Sequence, residues 1–115
     1  MTLVEILVMT NNFQTLSIII RPDDENDWYT PTSEYQTYVK KEYVDTGKIL
    51  ESTKKLSPDD LTMKHTITWD SVESADEWFY DAYCIEYRLA RDAYEVSKGF
   101  IRVRPDHPVR GIGWA

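Results

Sequence analysis

Alternating apolar and polar residues predict β-strand over much of this chain. Residues 3–9 are almost continuously apolar, which is typical of a strand buried on both faces. Residues 15–21 and 62–69 alternate instead, so each strand has one apolar face. Those faces carry Leu16, Ile18 and Ile20 in the first strand and Met63, His65, Ile67 and Trp69 in the second. Residues 100–104 predict a further short strand.

The segment 35–56 is interpreted as a long hairpin. Its first arm begins at Tyr35 and alternates, and residues 49–56 return after a turn at residues 45–48. Gly47 in that turn can adopt the positive φ that a tight hairpin needs. A helix is the competing interpretation of the first arm, but its β-branched and aromatic content favours a strand.

One long amphipathic helix is predicted over residues 74–99. Ser74 and Glu77 have the spacing of a capping box at its start. Gly99 suits the left-handed residue that ends a helix, and Phe100 can then fold back on the last turn. Apolar residues recur at steps of three and four, which places them on one stripe that should face the core. This stripe consists of Trp78, Ala82, Ile85, Leu89, Ala93 and Val96.

Four tyrosines gather on the side of this helix roughly opposite the stripe: Tyr80, Tyr83, Tyr87 and Tyr94. Tyrosine is enriched at protein interfaces because it joins a large apolar ring to one polar tip. Two interpretations stay open at this point. Either a loop or the C-terminal segment of the same chain covers the tyrosines, or they form a contact with another subunit.

Together these elements predict an α+β fold. We expect an antiparallel sheet of hairpins with one long helix, in the C-terminal half, packed on one face, ferredoxin-like or a related two-layer sandwich. A chain of 115 residues is long enough for one domain and too short for two. We expect that domain to span residues 1–99. Residues 100–115 should form an extended basic arm, because three arginines against one aspartate give the arm a charge of +2.

Charge and cysteine content narrow the set of partners. The formal net charge of −7 disfavours direct binding to nucleic acid, whose phosphates it would repel. The single cysteine, Cys84, excludes an intrachain disulfide and suits a reducing compartment. The first nine residues lack the basic start of a signal peptide, and no apolar run is long enough to span a bilayer. We therefore expect a cytoplasmic protein whose partners are proteins and not membranes.

The sequence contains no strong motif for catalysis, metal binding or cofactor binding. Neither His65 nor His107 lies at helical spacing from Cys84, so no pair of nucleophile and base is predicted. His65 shares the apolar side of its strand, where we expect it to be hydrogen-bonded within the structure. The acidic residues from position 23 fall into the register of a calcium loop, but Trp28 stands where that loop requires glycine. We interpret them as a solvated loop and predict no cofactor.

Two resemblances suggest functions. Antiparallel strands with one long helix across a face are similar to the dimeric α+β barrel proteins, which implies small-molecule binding or an enzymatic role such as cofactor-free oxygenation or haem degradation. The chain also resembles small uncharacterised proteins of T4-like tailed phages in residues 66–71 (TITWDS), 75–78 (ADEW) and 91–94 (RDAY). That resemblance implies a viral accessory protein or virion component, located in the host cytoplasm or the virion.

The sequence thus predicts a non-enzymatic structural or interaction protein, a subunit of a larger assembly or a homo-oligomer. One alternative is a small-molecule-binding protein or enzyme of the dimeric α+β barrel type, which predicts a closed apolar pocket containing His65 or a tyrosine. The other is an acidic inhibitor of a partner with a basic groove, which predicts a continuous negative face without a pocket. The candidate contact residues are Trp28, Tyr80, Tyr83, Tyr87, Tyr94, Arg102, Arg104, Arg110 and Trp114.

Overall fold

The computed structural model describes residues 13–103, which form strands, α-helices and one π-helical turn. The elements follow in the order β1 (Phe13–Ile20), α1 (Ser33–Val39), a π-helical turn (Lys40–Val44), β2 (Ile49–Leu56), β3 (Thr62–Trp69), α2 (Val72–Tyr80), α3 (Ala82–Ser97) and β4 (Ile101–Val103). The strand predicted at residues 3–9 and the arm beyond residue 103 lie outside the described residues.

The strands form one antiparallel sheet in the order β2-β3-β1-β4. β1 and β2 run in the same direction on either side of β3 and are connected through α1, which is a split βαβ unit. β3 and β4 repeat this arrangement on either side of β1, connected through α2 and α3. The predicted α+β fold is confirmed, and its topology is ferredoxin-like, with the helices packed on one face of the sheet.

An aromatic core lies between this face and the helices. Trp69, the last residue of β3, is only 1% exposed. Its ring lies edge-on to Tyr43 and tilted against Trp78, with centroid distances of 6.4 and 5.9 Å. The Trp69 indole N–H donates to the hydroxyl of Thr15 at 3.2 Å, which satisfies the polar atoms of this buried pair. β3 has the bounds and the inward-facing side that its alternation predicts.

The predicted first arm of the 35–56 hairpin is wrong, because residues 33–44 are helical. The hydroxyl of Thr32 accepts a hydrogen bond from the backbone N–H of Tyr35 and thereby caps α1. Tyr35 and Tyr43 are the residues that this segment buries, and their spacing of eight fits two helical turns. The return arm is confirmed as β2, and Gly47 in the turn before it has a φ of +81°.

The helix predicted over residues 74–99 is divided into α2 and α3 at Asp81, whose backbone is extended (φ −66°, ψ 124°). One oxygen of the Asp81 carboxylate accepts the backbone N–H groups of Tyr83 and Cys84 and so caps α3. The other oxygen accepts the hydroxyls of Tyr38 and Tyr43. Because the helix breaks at Asp81, one carboxylate caps α3 and also accepts hydrogen bonds from α1 and the π-helical turn.

The two ends of the predicted helix have different outcomes. The capping box at Ser74 is wrong, because Ser71 is the N-cap of α2 and accepts the backbone N–H of Ser74 at 3.1 Å. The predicted stop is confirmed: Gly99 has a φ of +76°, and the N–H of Phe100 returns to the carbonyl of Glu95 at 2.8 Å. The rings of Phe100 and Tyr94 also meet, as predicted.

Replacing Gly99 with alanine should lower the free energy of unfolding by about 1 kcal/mol, because a residue with a Cβ atom is strained at positive φ. Crowding adds little, since the nearest atom to an added Cβ would be Cγ of Pro22 at 3.7 Å. Urea unfolding measures the change. Lys98→Ala, one residue earlier at a φ of −99°, is the matched control, and an equal loss in both variants would contradict the explanation.

Candidate functional site

α3 turns its apolar stripe away from the molecule. The prediction that this stripe faces the core holds for Trp78 of α2 but is wrong along α3. Leu89 is 65% exposed, Val96 is 78% exposed and Ile85 is 37% exposed. Ala82 and Ala93 are exposed as well. We call these five residues the outer stripe: Ala82, Ile85, Leu89, Ala93 and Val96.

The opposite side of α3 is buried because it makes polar and aromatic contacts that aliphatic side chains cannot make. Glu95 accepts two hydrogen bonds from the guanidinium of Arg102 in β4, at 2.8 and 2.7 Å. Arg91 donates two hydrogen bonds to Asp92 and lies over the ring of Tyr87. These pairings offset part of the cost of burying charged groups on this side of the helix.

The tyrosines of α3 pack within the chain. Tyr35 of α1 lies nearly parallel between Tyr83 and Tyr87, with centroid distances of 5.5 and 4.3 Å. Tyr29, in the loop before α1, contacts Tyr87 and Tyr94 at 6.0 and 5.5 Å. These contacts agree with coverage by the same chain, although Tyr83 is still 38% exposed. Contact of Tyr83, Tyr87 and Tyr94 with another subunit stays a prediction.

The other candidate contact residues are found in several environments. Trp28 lies between the guanidinium of Arg21, 4.5 Å from its ring centre, and the ring of Phe100 at 5.7 Å. Arg102 is held by the buried carboxylate described above, whereas Tyr80 is 71% exposed. Contact of any of these residues with a partner stays a prediction. Three candidates lie outside the described residues: Arg104, Arg110 and Trp114.

A second apolar surface lies on the open face of the sheet, on the side away from the helices. β1 buries Phe13, Thr15, Ser17 and Ile19 beneath the helices, so its other aliphatic residues lie on the open face: Leu16, Ile18 and Ile20. Ile101 and Val103 of the neighbouring β4 are both exposed. Among residues 13–103, the molecule therefore presents apolar side chains on both of its outer surfaces.

A cavity of about 470 Å³ lies between the helix-facing side of the sheet and the helices. We call it the sheet cavity. Its floor is formed by Thr15 and Ser17 of β1, His65 and Ile67 of β3, and Ser52 and Lys54 of β2. Its walls include Tyr29, Pro31, Tyr35, Val39, Lys40 and Val44 on one side and Tyr87, Arg91 and Arg102 on the other.

Polar side chains cross the floor of the sheet cavity in one row. Ser17, His65 and Lys54 are directly opposite one another on β1, β3 and β2. The imidazole Nε2 of His65 is 3.0 Å from the hydroxyl of Ser52, so this histidine is hydrogen-bonded within the structure as predicted. Burial, followed by the positive charges of Lys54, Arg102 and Arg91, lowers the pKa of His65 to about 4. His65 is therefore neutral at pH 7.

Sequence reasoning placed His65 on an inward face but did not connect it with Lys54 or Arg91. A signal for Arg91 was available, because it shares the tyrosine side of the predicted helix. Lys54 carried no signal, since it lies on an edge strand whose residues are all exposed after Ile49. Strand register brings His65 next to Lys54, and the packing of α3 on the sheet brings Arg91 to the same cavity. A single sequence shows neither.

Nucleophilic chemistry has little support in the described region. Burial raises the pKa of the Cys84 thiol to about 11, so this cysteine stays protonated and unreactive at neutral pH.

Residues 13–103 contain no group of three His, Cys, Asp or Glu side chains arranged to hold a metal ion. No helix in that range is long and apolar enough to cross a lipid bilayer. No family model, curated protein or solved structure matches the chain.

Proposed function

We propose that this protein is a non-enzymatic interaction protein that acts as a subunit of an assembly, and that it pairs with a second copy through the outer stripe of α3. The observation that carries the proposal is the exposure of Leu89 and Val96 on a helix whose other side is fully engaged. Monomeric proteins rarely leave a continuous apolar stripe in water, and such patches mark interaction sites.

The spacing of the outer stripe favours a second copy as the occupant. Its members are separated by three, four, four and three residues, so the pattern reads the same in both directions about Leu89. In an antiparallel pair related by a two-fold axis, Leu89 would meet Leu89 of the other copy. Ile85 would meet Ala93 and Val96 would meet Ala82, so on either side of Leu89 a larger side chain faces a smaller one.

The size of the stripe suits a weak to moderate dimer. α3 has 16 residues and is therefore about 24 Å long. Burying its three larger aliphatic side chains from both copies would contribute on the order of 8 kcal/mol, from which the cost of association is subtracted. The open face of the sheet, on the other side of the molecule, is left for a further neighbour, as a larger assembly requires.

The mass in solution tests this proposal. At about 100 μM, light scattering should give twice the chain mass for the unchanged protein and the single chain mass for Leu89→Asp. Leu50→Asp is the matched control, since Leu50 is also an exposed leucine but lies on β2, away from α3. Circular dichroism shows whether each variant is folded. A monomeric unchanged protein, or a dimer that survives Leu89→Asp, would overturn the proposal.

Cross-linking tests the antiparallel arrangement separately. Leu89→Cys should form an intermolecular disulfide under mild oxidation, because the two copies of residue 89 lie opposite each other. Val96→Cys should not, since its two copies would be about 21 Å apart at about 1.5 Å per residue. The native Cys84 is buried and does not compete. Efficient cross-linking of both variants would indicate a parallel pair instead.

A further inference from the structure

We infer that the sheet cavity binds a small organic anion with a planar apolar body, such as an aromatic carboxylate, which places its carboxylate near Lys54 and His65 and its ring among the tyrosines of the wall. This binding site is independent of the outer stripe of α3. It supports the small-molecule-binding alternative raised by the sequence, and such binding is compatible with dimerisation.

The size and lining of the sheet cavity suit such a molecule. Its volume of about 470 Å³ falls within the range of small-molecule sites, which is roughly 300–1,000 Å³. Tyr29, Tyr35 and Tyr87 present aromatic rings along the walls, and Val39 adds an aliphatic surface. These rings give the walls an aromatic, apolar surface that suits the planar body of such a ligand. A few polar groups converge on the floor, which is the arrangement that fixes the orientation of a bound molecule.

The charge of the sheet cavity specifies an anion. Its lining contains Lys40, Lys54, Arg91 and Arg102 and no carboxylate, although the whole chain has a net charge of −7. Asp45, Asp92 and Glu95 pair with Lys40, Arg91 and Arg102, respectively, from outside the lining. Lys54 forms no ion pair with any other residue in the range 13–103. It is therefore the cation best placed to bind an incoming carboxylate.

The floor offers neutral donors beside this cation. Ser17 is only 7% exposed, and it lines the floor of the sheet cavity. A serine hydroxyl can donate one hydrogen bond, so it can bind an oxygen of a carboxylate placed in the cavity. His65 lies between Ser17 and Lys54 in the same row across the sheet. Burial and the neighbouring positive charges together lower the pKa of His65, and an anion bound there would offset the positive charges.

The experiment uses 2-naphthoate as the probe and its uncharged amide, 2-naphthamide, as the comparison. Binding is followed by NMR on the full chain, through the imidazole proton of His65, which a His107→Gln variant assigns. We expect 2-naphthoate to bind at least about tenfold more tightly than the amide, because only the acid pairs with Lys54. Bound 2-naphthoate should also raise the apparent pKa of His65.

Lys54→Met should weaken 2-naphthoate binding by about tenfold while leaving amide binding unchanged. Lys55→Met is the matched control, because Lys55 is the next residue of β2 and points to the opposite side of the sheet. Equal affinity for acid and amide, no shift of the His65 signal at about 5 mM probe, or equal effects of the two lysine variants would overturn the inference. None of these outcomes depends on whether the protein dimerises.

Discussion

Replacing Asp81 with alanine should lower the free energy of unfolding by about 4 kcal/mol, a large fraction of the 5–15 kcal/mol typical of a small domain. The carboxylate caps α3 through the backbone N–H groups of Tyr83 and Cys84, and a lost cap costs about 1 kcal/mol. It also accepts the hydroxyls of Tyr38 and Tyr43, and each hydrogen bond to a charged group contributes about 1.5–3 kcal/mol.

The effect of Asp81→Ala should depend on pH. Burial by itself raises the pKa of Asp81, but the hydrogen bonds from both tyrosines and from the backbone outweigh it and hold the pKa below its usual value. A depressed carboxylate pKa means that the contribution to stability is present above the unfolded pKa of about 3.9 and is lost as the pH falls further. The difference between the two proteins should therefore shrink below about pH 4.

Urea unfolding at pH 7 and at lower pH measures both effects. Asp45→Ala is the control, because Asp45 pairs with Lys40 at an exposed site and should change the stability by less than about 1 kcal/mol. A double-mutant cycle between Asp81→Ala and Tyr43→Phe isolates one hydroxyl contact. A loss no greater than that of the Asp45 variant would show that Asp81 does not connect α3 to the π-helical turn as the structure indicates.

Replacing Arg102 with methionine should lower the free energy of unfolding by about 3–5 kcal/mol. The side chains of Arg102 and Glu95 are only 12% and 7% exposed, and two hydrogen bonds join them. Methionine retains much of the apolar stem of arginine but leaves the Glu95 carboxylate buried without a counter-charge. Arg102→Met should therefore lose more free energy of unfolding than the contact between Arg102 and Glu95 contributes.

The double variant Glu95→Gln with Arg102→Met should recover most of that loss, because no buried charge remains. Lys40→Met, which removes one half of an exposed ion pair, should have an effect below about 1 kcal/mol in the same urea unfolding measurement. Arg102 was also predicted to contact a partner. If Arg102→Met leaves the stability unchanged but changes the mass measured by light scattering, contact with a partner is favoured over the pairing of Arg102 with Glu95.

Elements with a purely local cause could be predicted from the sequence. β3 is a strand because its alternation is unambiguous, and the chain leaves α3 at Gly99 because a positive φ is required there. α1 was missed because Tyr35, Val39 and Tyr43 fit both a period of two and a helical repeat, and the capping hydroxyl of Thr32 went unused in the prediction. Where two periods fit one segment, tertiary packing decides between them.

The sequence by itself determined the α+β class, the position of the aromatic side of α3 relative to its aliphatic side, and the end of α3 at Gly99. Only the tertiary structure decided which side of α3 is covered. Periodicity identifies an apolar side but not what lies opposite it, and here stacked tyrosines and the pair of Glu95 with Arg102 make the polar side the inner one. The sheet cavity also depends on strand register, because residues distant in sequence become neighbours only when the strands pair.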